Sequence, residues 1–313
     1  MKPSWTTIQA AHDYLRGHLA QTPLVPATSL SSTSASVFLK NETGLPTGSF
    51  KIRGALFALH AERQRRAMNE VVAASTGNHG AAVAYAAGQL GLPARIFLPE
   101  NPNPVKRARI AELGAEIVEA GPDISAALDH ARAHVRETGA FLIDDSTSDD
   151  VPAGTATISC EILEQLPSVA EIWVPMGDTA LIRGMASAAK HLKPSVRIVG
   201  VQAERAPSYY LSWKKGEVVT TDTCDTIADG LATRTPVRDN VTAIRELVDD
   251  VRLVTEEQLL QAIRLLRDQQ RILAEPAGAA TTAAWLASAD RPHGDVALLI
   301  TGANIAEEVL RRL

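Results

Sequence analysis

The sequence predicts an α/β fold of mostly parallel strands with helices on both faces, and three observations carry that prediction. Short runs rich in β-branched and large apolar residues alternate with longer Ala-rich segments of helical period, the pattern of right-handed strand–helix–strand crossovers. The 313 residues are enough for about two domains at ~150 residues each. Composition agrees, since 45% hydrophobic and 21% charged residues suit a chain that buries a core.

In chain order the predicted strands are EVVAA (Glu70–Ala74), ARIFL (Ala94–Leu98), AEIV (Ala115–Val118), AFLI (Ala140–Ile143), EIWVP (Glu171–Pro175), VRIVGV (Val196–Val201) and VALLI (Val296–Ile300). Helical patterns fill the gaps between them. An earlier strand leads into Thr47-Gly48-Ser49, and a helix begins at Phe50 or Lys51. The polar, turn-rich Asp144–Asp150 (DDSTSDD) is placed to join two domains. No internal repeat or long Gly/Ser linker interrupts the chain, and with the last strand so near its end no regulatory domain is expected there.

Charge narrows the partners. Lys+Arg 31 against Asp+Glu 36 gives a net charge of −5, which excludes a broad basic face for nucleic acid or anionic lipid and favours small-molecule substrates. Cys160 and Cys224 are too few for a disulfide framework and lack metal-site spacing, so both are expected to be buried thiols in a reducing compartment. No apolar stretch approaches ~18 residues and the first twenty residues hold no apolar core. A cytoplasmic protein that touches no membrane is expected.

Four segments carry chemistry. In KNETGLPTGSFKIRGA (Lys40–Ala55), Lys51 follows a glycine turn at a helix start. Arg53 and the positive helix end would depress its pKa and make it a nucleophile able to form a Schiff base; a Ser49 cap with Lys51 in solvent is the plainer reading of that segment alone. In Ser75-Thr76-Gly77-Asn78-His79-Gly80, polar side chains crowd a strand-to-helix turn, where free N–H groups suit a carboxylate. The loop Pro175–Gly184 (PMGDTALIRG) has the setting of a phosphate cradle, although Asp178 would serve equally as a plain N-cap. It carries neither a P-loop nor a dinucleotide fingerprint, which disfavours nucleotide triphosphates and NAD. Finally, Thr301-Gly302-Ala303-Asn304 closes an apolar strand, where open sheets place ligand groups.

Taken in order, TGSFKIRGA, STGNHG, the GDTAL loop, TIADGLA (Thr226–Ala232), AEPAGAA (Ala274–Ala280) and TGAN resemble the fold-type II pyridoxal-phosphate enzymes, specifically the threonine/serine dehydratase and serine racemase family. The resemblance runs from about Ile8 to the C-terminus. It implies two open, mostly parallel sheets of tryptophan synthase beta-like architecture. Residues 53–146 would form a small, mobile substrate-binding domain, and residues 1–52 with 147–313 a large cofactor-binding one. By the same match, Lys51 holds pyridoxal 5′-phosphate covalently while Phe50 packs on its ring. Asn78 hydrogen-bonds the phenolic oxygen, and amides of Gly177, Asp178, Thr179, Ala180 and Leu181 hold the phosphate. Thr301 offers a hydroxyl to the ring nitrogen, and Ser75, Thr76, Asn78 and His79 bind the substrate carboxylate.

The implied activity is β-elimination of a 3-hydroxy amino acid, L-threonine or L-serine, to a 2-oxo acid and ammonia, with Lys51 as the base for the Cα proton. A hydroxyl at Thr301, unlike a carboxylate, does not keep the ring nitrogen protonated, which favours loss of the β-hydroxyl. Thr76 retains the hydroxyl that racemases use on the face opposite the lysine, so amino-acid racemisation stands as an alternative, beside dehydration of 3-hydroxyaspartate or phenylserine. The GDTAL loop departs from the family's run of glycines, and side chains there narrow its backbone freedom. The divalent-cation site of some relatives would fall on Glu204, Ser208 and Tyr210, and Tyr210 is a poor ligand, so no metal is expected. His130 and His134 are read as a solvated helix face. Relatives are commonly homodimers or homotetramers, and either is expected here.

Overall fold

The computed structural model describes residues 2–313 apart from Thr76, Asn103 and Arg291, without the side chains of Pro104, Val105 and Lys106. In chain order the first elements are α1 (Trp5–Arg16), β1 (Leu24–Pro26), β2 (Ala35–Asn41), α2 (Lys51–Arg65), β3 (Val71–Ala74), α3 (Asn78–Gln89), β4 (Ala94–Leu98) and α4 (Pro104–Glu112). Then follow β5 (Glu116–Glu119), α5 (Ile124–Thr138), β6 (Phe141–Leu142), α6 (Asp150–Gln165), β7 (Glu171–Pro175), α7 (Ala180–Leu192) and β8 (Arg197–Ala203). The last are α8 (Ser208–Lys215), α9 (Arg238–Leu247), β9 (Asp250–Val254), α10 (Glu256–Gln270), α11 (Pro276–Ala287), β10 (Gly294–Ile300) and α12 (Glu307–Leu310).

Two sheets result. One runs β1-β2-β10-β7-β8-β9, parallel throughout except that β1 is antiparallel to β2; the other runs β5-β4-β3-β6 and is wholly parallel. The seven predicted strands lie within two residues of their expected ends. The strand expected to reach Thr47 stops instead at Asn41, and residues 42–50 form the turn that delivers Lys51. Strands β1 and β9 are additional. β9 (DVRLV) lies at a sheet edge with mixed burial, so it lacks the continuous apolar run of an interior strand.

Each face of the larger sheet buries its own core. On one, the ring of Trp173 meets Trp285 edge-on at 5.6 Å; on the other, Ile172, Val174 and Leu299 pack with Phe50, Leu181 and Met185. The smaller sheet shares a core with α1, α2, α3 and α6. Helices α2 and α6 approach closely because two glycines meet there. A Cβ on Gly154 would lie 2.4 Å from the Arg53 carbonyl, and one on Gly54 would lie 2.7 Å from Cγ1 of Val151.

The start of α2 is fixed by buried charge. Arg53 is 1% exposed and donates to both carboxylate oxygens of Glu42 and of Glu161, while Lys40 Nζ donates to Glu161 at 2.6 Å. Other expectations need correction. Cys160 is buried, its thiol pushed up to about 12 by that burial, whereas Cys224 is only half-buried. His134 does not belong to a solvated face, since its Nε2 lies 2.6 Å from Glu70 Oε2; His130 is exposed. No helix among the described residues is long and apolar enough to cross a membrane.

Candidate active site

Strand ends and helix starts of both sheets converge on one amine. Lys51 is the first residue of α2, preceded by Phe50 as N-cap with no side-chain cap, so Ser49 does not cap the helix. The turn before it is stitched to the end of β10: Phe50 N donates to Thr301 O at 3.0 Å, Ala303 N to Gly48 O at 2.9 Å, and Ser49 forms a bridge with Gly302. The two chain segments that flank the amine are therefore joined by backbone hydrogen bonds. Phe50 is nearly buried, and its ring centroid lies 5.5 Å from Lys51 Nζ.

Lys51 Nζ donates to Asp145 and to Asp178 Oδ2, the latter at 3.0 Å. Its electrostatics correct the sequence reading. Burial alone would lower its pKa, but the two carboxylates outweigh burial and hold the ammonium above its usual range. Arg53 applies no such pressure, because its guanidinium is turned to Glu42 and Glu161. Burial would in turn raise Asp145, yet His79 and Lys51 keep its carboxyl well below the usual range. His79 Nδ1 lies 2.9 Å from Asp145 Oδ1 and its Nε2 3.0 Å from the Ile143 carbonyl. Burial disfavours the imidazolium, but the Asp145 charge prevails and raises the His79 pKa.

The Ser75–Gly80 turn joins β3 to α3. Its N-cap is Gly77 rather than a polar side chain, and Ser75 Oγ accepts from Gly77 N at 3.2 Å. Thr76 lies outside the described residues. Asn78 Nδ2 donates to Glu275 at 2.7 Å while its Oδ1 accepts from Asn304 at 2.6 Å, and Asn304 also donates to Thr47 O at 2.9 Å. Asn78 is thereby tied to the β10 end and to the start of α11. Thr301, just past the end of β10, is 3% exposed.

Between β7 and α7, Gly177 allows the Gly230 carbonyl to approach where a Cβ would lie 2.2 Å from that oxygen, which explains how TIADGLA buttresses the GDTAL loop. Thr179 adopts left-handed backbone at φ 76°, strained for a residue with a side chain, and is the N-cap of α7. Buried Arg183 donates from Nε to Thr179 Oγ1 at 3.2 Å. Asp178 does not cap α7 from the N-cap position. Its Oδ1 accepts from Ala180 N at 2.9 Å while Oδ2 reaches Lys51.

These residues fit pyridoxal phosphate: a primary amine, an aromatic face beside it, a helix N-terminus for an anion, and a strand-end hydroxyl at Thr301. One feature resists it, because the Asp178 carboxylate occupies the Ala180 N–H that a phosphate oxygen would use. Ser208, one of the positions where some relatives' cation site would fall, donates to Thr233 O, and the described residues contain no cluster of three or more His, Cys, Asp or Glu placed to hold a metal. Asp145, Glu275, Asn304 and Arg183 are site residues that sequence reasoning did not assign. Arg183, Glu275 and Asn304 stand inside segments it singled out, and the signal for Asp145 is its position just beyond an apolar strand.

A lysine amine at a helix start, facing a glycine-led anion loop where two mostly parallel sheets meet, defines a carbonyl-cofactor site on an α/β fold. The comparisons make the class specific. The chain belongs to the pyridoxal-phosphate dependent enzyme family, whose model matches residues 15–302. It is 38% identical to an L-threonine ammonia-lyase from Geobacter sulfurreducens over 90% of this chain and 70% of that one. It is 32% identical to a serine racemase from Arabidopsis thaliana over 96% of this chain and 92% of that one. The structure of maize serine racemase superposes with a TM-score of 0.94 at 30% identity, covering 100% of this chain and 97% of that one.

Proposed function

We propose that this chain is an ammonia-lyase that uses pyridoxal phosphate to convert a 3-hydroxy amino acid, L-threonine or L-serine, to a 2-oxo acid and ammonia. The observation that carries this reading is the placement of Lys51 Nζ where the α2 start, the Gly177–Leu181 loop and the β10 end meet, in a chain 38% identical to an L-threonine ammonia-lyase. Lys51 would hold the cofactor, with Phe50 on its ring, Asn78 and Thr301 on its polar edge, and amides from Gly177, Asp178, Thr179, Ala180 and Leu181 on its phosphate. Ser75, Thr76, Asn78 and His79 would receive the substrate carboxylate.

When bound, the cofactor supplies the electron sink that makes the Cα proton removable. The chain supplies the base. Lys51 Nζ takes that proton, and Asp145 and Asp178 stabilise the ammonium that forms, a charge-assisted interaction made stronger by exclusion of water. The segment 53–146 carries the Ser75–Gly80 turn, and its movement against the larger sheet would close the site over substrate. A cytoplasmic homodimer or homotetramer completes the reading.

The deciding experiment is a visible absorbance spectrum of the purified protein with L-threonine and then L-serine, with 2-oxo acid followed in the same cuvette and repeated on Lys51→Ala. A cofactor band that is lost in the variant, with keto acid formed only by the native chain, is the expected result. A band without keto acid but with D-isomer moves the function to racemisation, and no band rejects the reading.

A further inference from the structure

The turn from β7 into α7 places a side chain where glycine would be at ease. Thr179 stands at φ 76° and ψ −4°, the left-handed region that glycine enters freely and a β-branched residue avoids. Asn101 and Arg271 are the other non-glycine residues at positive φ among the described residues, and neither is β-branched. Such a conformation persists only where the surroundings over-determine it.

Arg183, one helical turn further on, grips Thr179 twice. Its backbone N donates to Thr179 O at 2.9 Å and its Nε to Thr179 Oγ1 at 3.2 Å, so main chain and side chain are held by the same residue. Both residues are 1% exposed, and water does not compete for either bond. Arg183 is itself firmly seated. A Cβ on its neighbour Gly184 would lie 2.0 Å from the Pro152 carbonyl oxygen, and Thr155 Oγ1 donates to Ala180 O at 3.1 Å. The first turn of α7 is thus pinned on α6, and Arg183 fixes Thr179 relative to it. Asp178, Asp149 and Asp145 also attract the guanidinium, so a purely electrostatic role for Arg183 is the rival to be separated.

Resting on the placement of the cofactor phosphate at the Gly177–Leu181 loop, we propose that Arg183 is a positioning residue for that phosphate: its Nε–Oγ1 bond holds Thr179 in left-handed backbone and so keeps the loop in one shape before the phosphate arrives. A loop already shaped for its ligand binds without first being ordered. The bond does for a threonine what a glycine at the same position would do unaided.

The test is an absorbance titration of the cofactor-free full chain with pyridoxal 5′-phosphate and, in parallel, with pyridoxal, which lacks the phosphate. Two substitutions separate bond from charge. Arg183→Met removes donor and charge together, whereas Arg183→Gln removes the charge but leaves an amide nitrogen as far along the side chain as Nε. Arg183→Met is expected to weaken pyridoxal 5′-phosphate at least about three-fold, the worth of one buried hydrogen bond, with pyridoxal little changed, and Arg183→Gln to recover most of that loss. Thr179→Val deletes the hydroxyl and leaves the buried guanidinium in place. It should weaken the phosphorylated ligand to the same degree, so the result does not hang on the Arg183 variants folding. In a Thr179→Gly chain, whose backbone needs no hold, adding Arg183→Met should cost less than about two-fold. Arg183→Gln as weak as Arg183→Met, or an Arg183→Met loss as large in Thr179→Gly as in the native chain, overturns the proposal in favour of a charge effect and leaves the phosphate on the loop. Unchanged affinity in both Arg183→Met and Thr179→Val overturns it outright. Equal weakening of pyridoxal and its phosphate instead rejects the placement of the phosphate on this loop, the reading beneath the proposal.

Discussion

The amine of Lys51 and the carboxylate of Asp178 meet at 3.0 Å, joining the first turn of α2 to the loop that opens α7. The same carboxylate accepts from Ala180 N at 2.9 Å, so Asp178 holds both groups a phosphorylated aldehyde would seek, the amine and a helix-terminal amide. Under the proposed function it would be a resident anion where the cofactor phosphate enters.

Replacing Asp178 by Asn keeps an acceptor for Ala180 N and removes the charge. Relief of like-charge repulsion near a helix N-terminus amounts to about 1 kcal/mol. Asp178→Asn is therefore expected to bind pyridoxal phosphate about five- to ten-fold tighter, measured by absorbance titration of the cofactor-free protein. Weaker binding would show that Asp178 assists the phosphate.

Stability should follow pH through His79 and Asp145. The His79 pKa is raised in the folded state, so its contribution is complete below the unfolded value of about 6.5 and is lost as pH rises through the higher folded value. The Asp145 pKa is lowered, so its contribution is present above about 4 and is lost as pH falls through the folded value. The difference in melting temperature between the native chain and His79→Gln should accordingly be greatest at about pH 5–6 and shrink towards alkaline pH. A flat difference across that range would mean His79 is neutral when folded.

Much of this was legible in the sequence, for physical reasons that vary by element. Interior strands such as Ala94–Leu98 and Glu171–Pro175 fall at their predicted ends because burial on both faces leaves a nearly continuous apolar run, in which Arg95 and Glu171 are the only charged residues. The segments around Lys51, Ser75, Gly177 and Thr301 announce themselves because polar residues and glycines at strand ends have little other use. Side-chain direction was not legible. Arg53 lies two residues from Lys51, yet on the helix it points to Glu42 and Glu161, and Asp145 is distant in sequence but touches Lys51. The sign of the Lys51 shift follows from those two placements, which no local pattern encodes.

Arg53 is expected to matter more for folding than for chemistry. It bridges Glu42 and Glu161 while nearly inaccessible to solvent, and removing one partner of a buried ion group leaves uncompensated charge at about 3–5 kcal/mol. Arg53→Met should lower the denaturation free energy by that amount in urea unfolding. A loss below about 1 kcal/mol would place the group in the class of weak, solvent-screened pairs.

The crossing of α2 and α6 ties packing to the site. A methyl group on Gly154 would stand 2.4 Å from the Arg53 carbonyl, a backbone atom that cannot swing aside, so Gly154→Ala must push α2 away from α6. Overpacking of this kind costs about 1–3 kcal/mol. Because Lys51 lies two residues before Arg53 on the same helix, the displacement reaches its amine, while the Gly177–Leu181 loop, placed by β7 and TIADGLA, stays where it is. Gly154→Ala is therefore expected to weaken cofactor binding beyond what its stability loss explains, seen as a raised dissociation constant at a temperature where circular dichroism shows the variant fully folded. Unchanged affinity in a folded variant would mean that α2 and the loop shift together as one body.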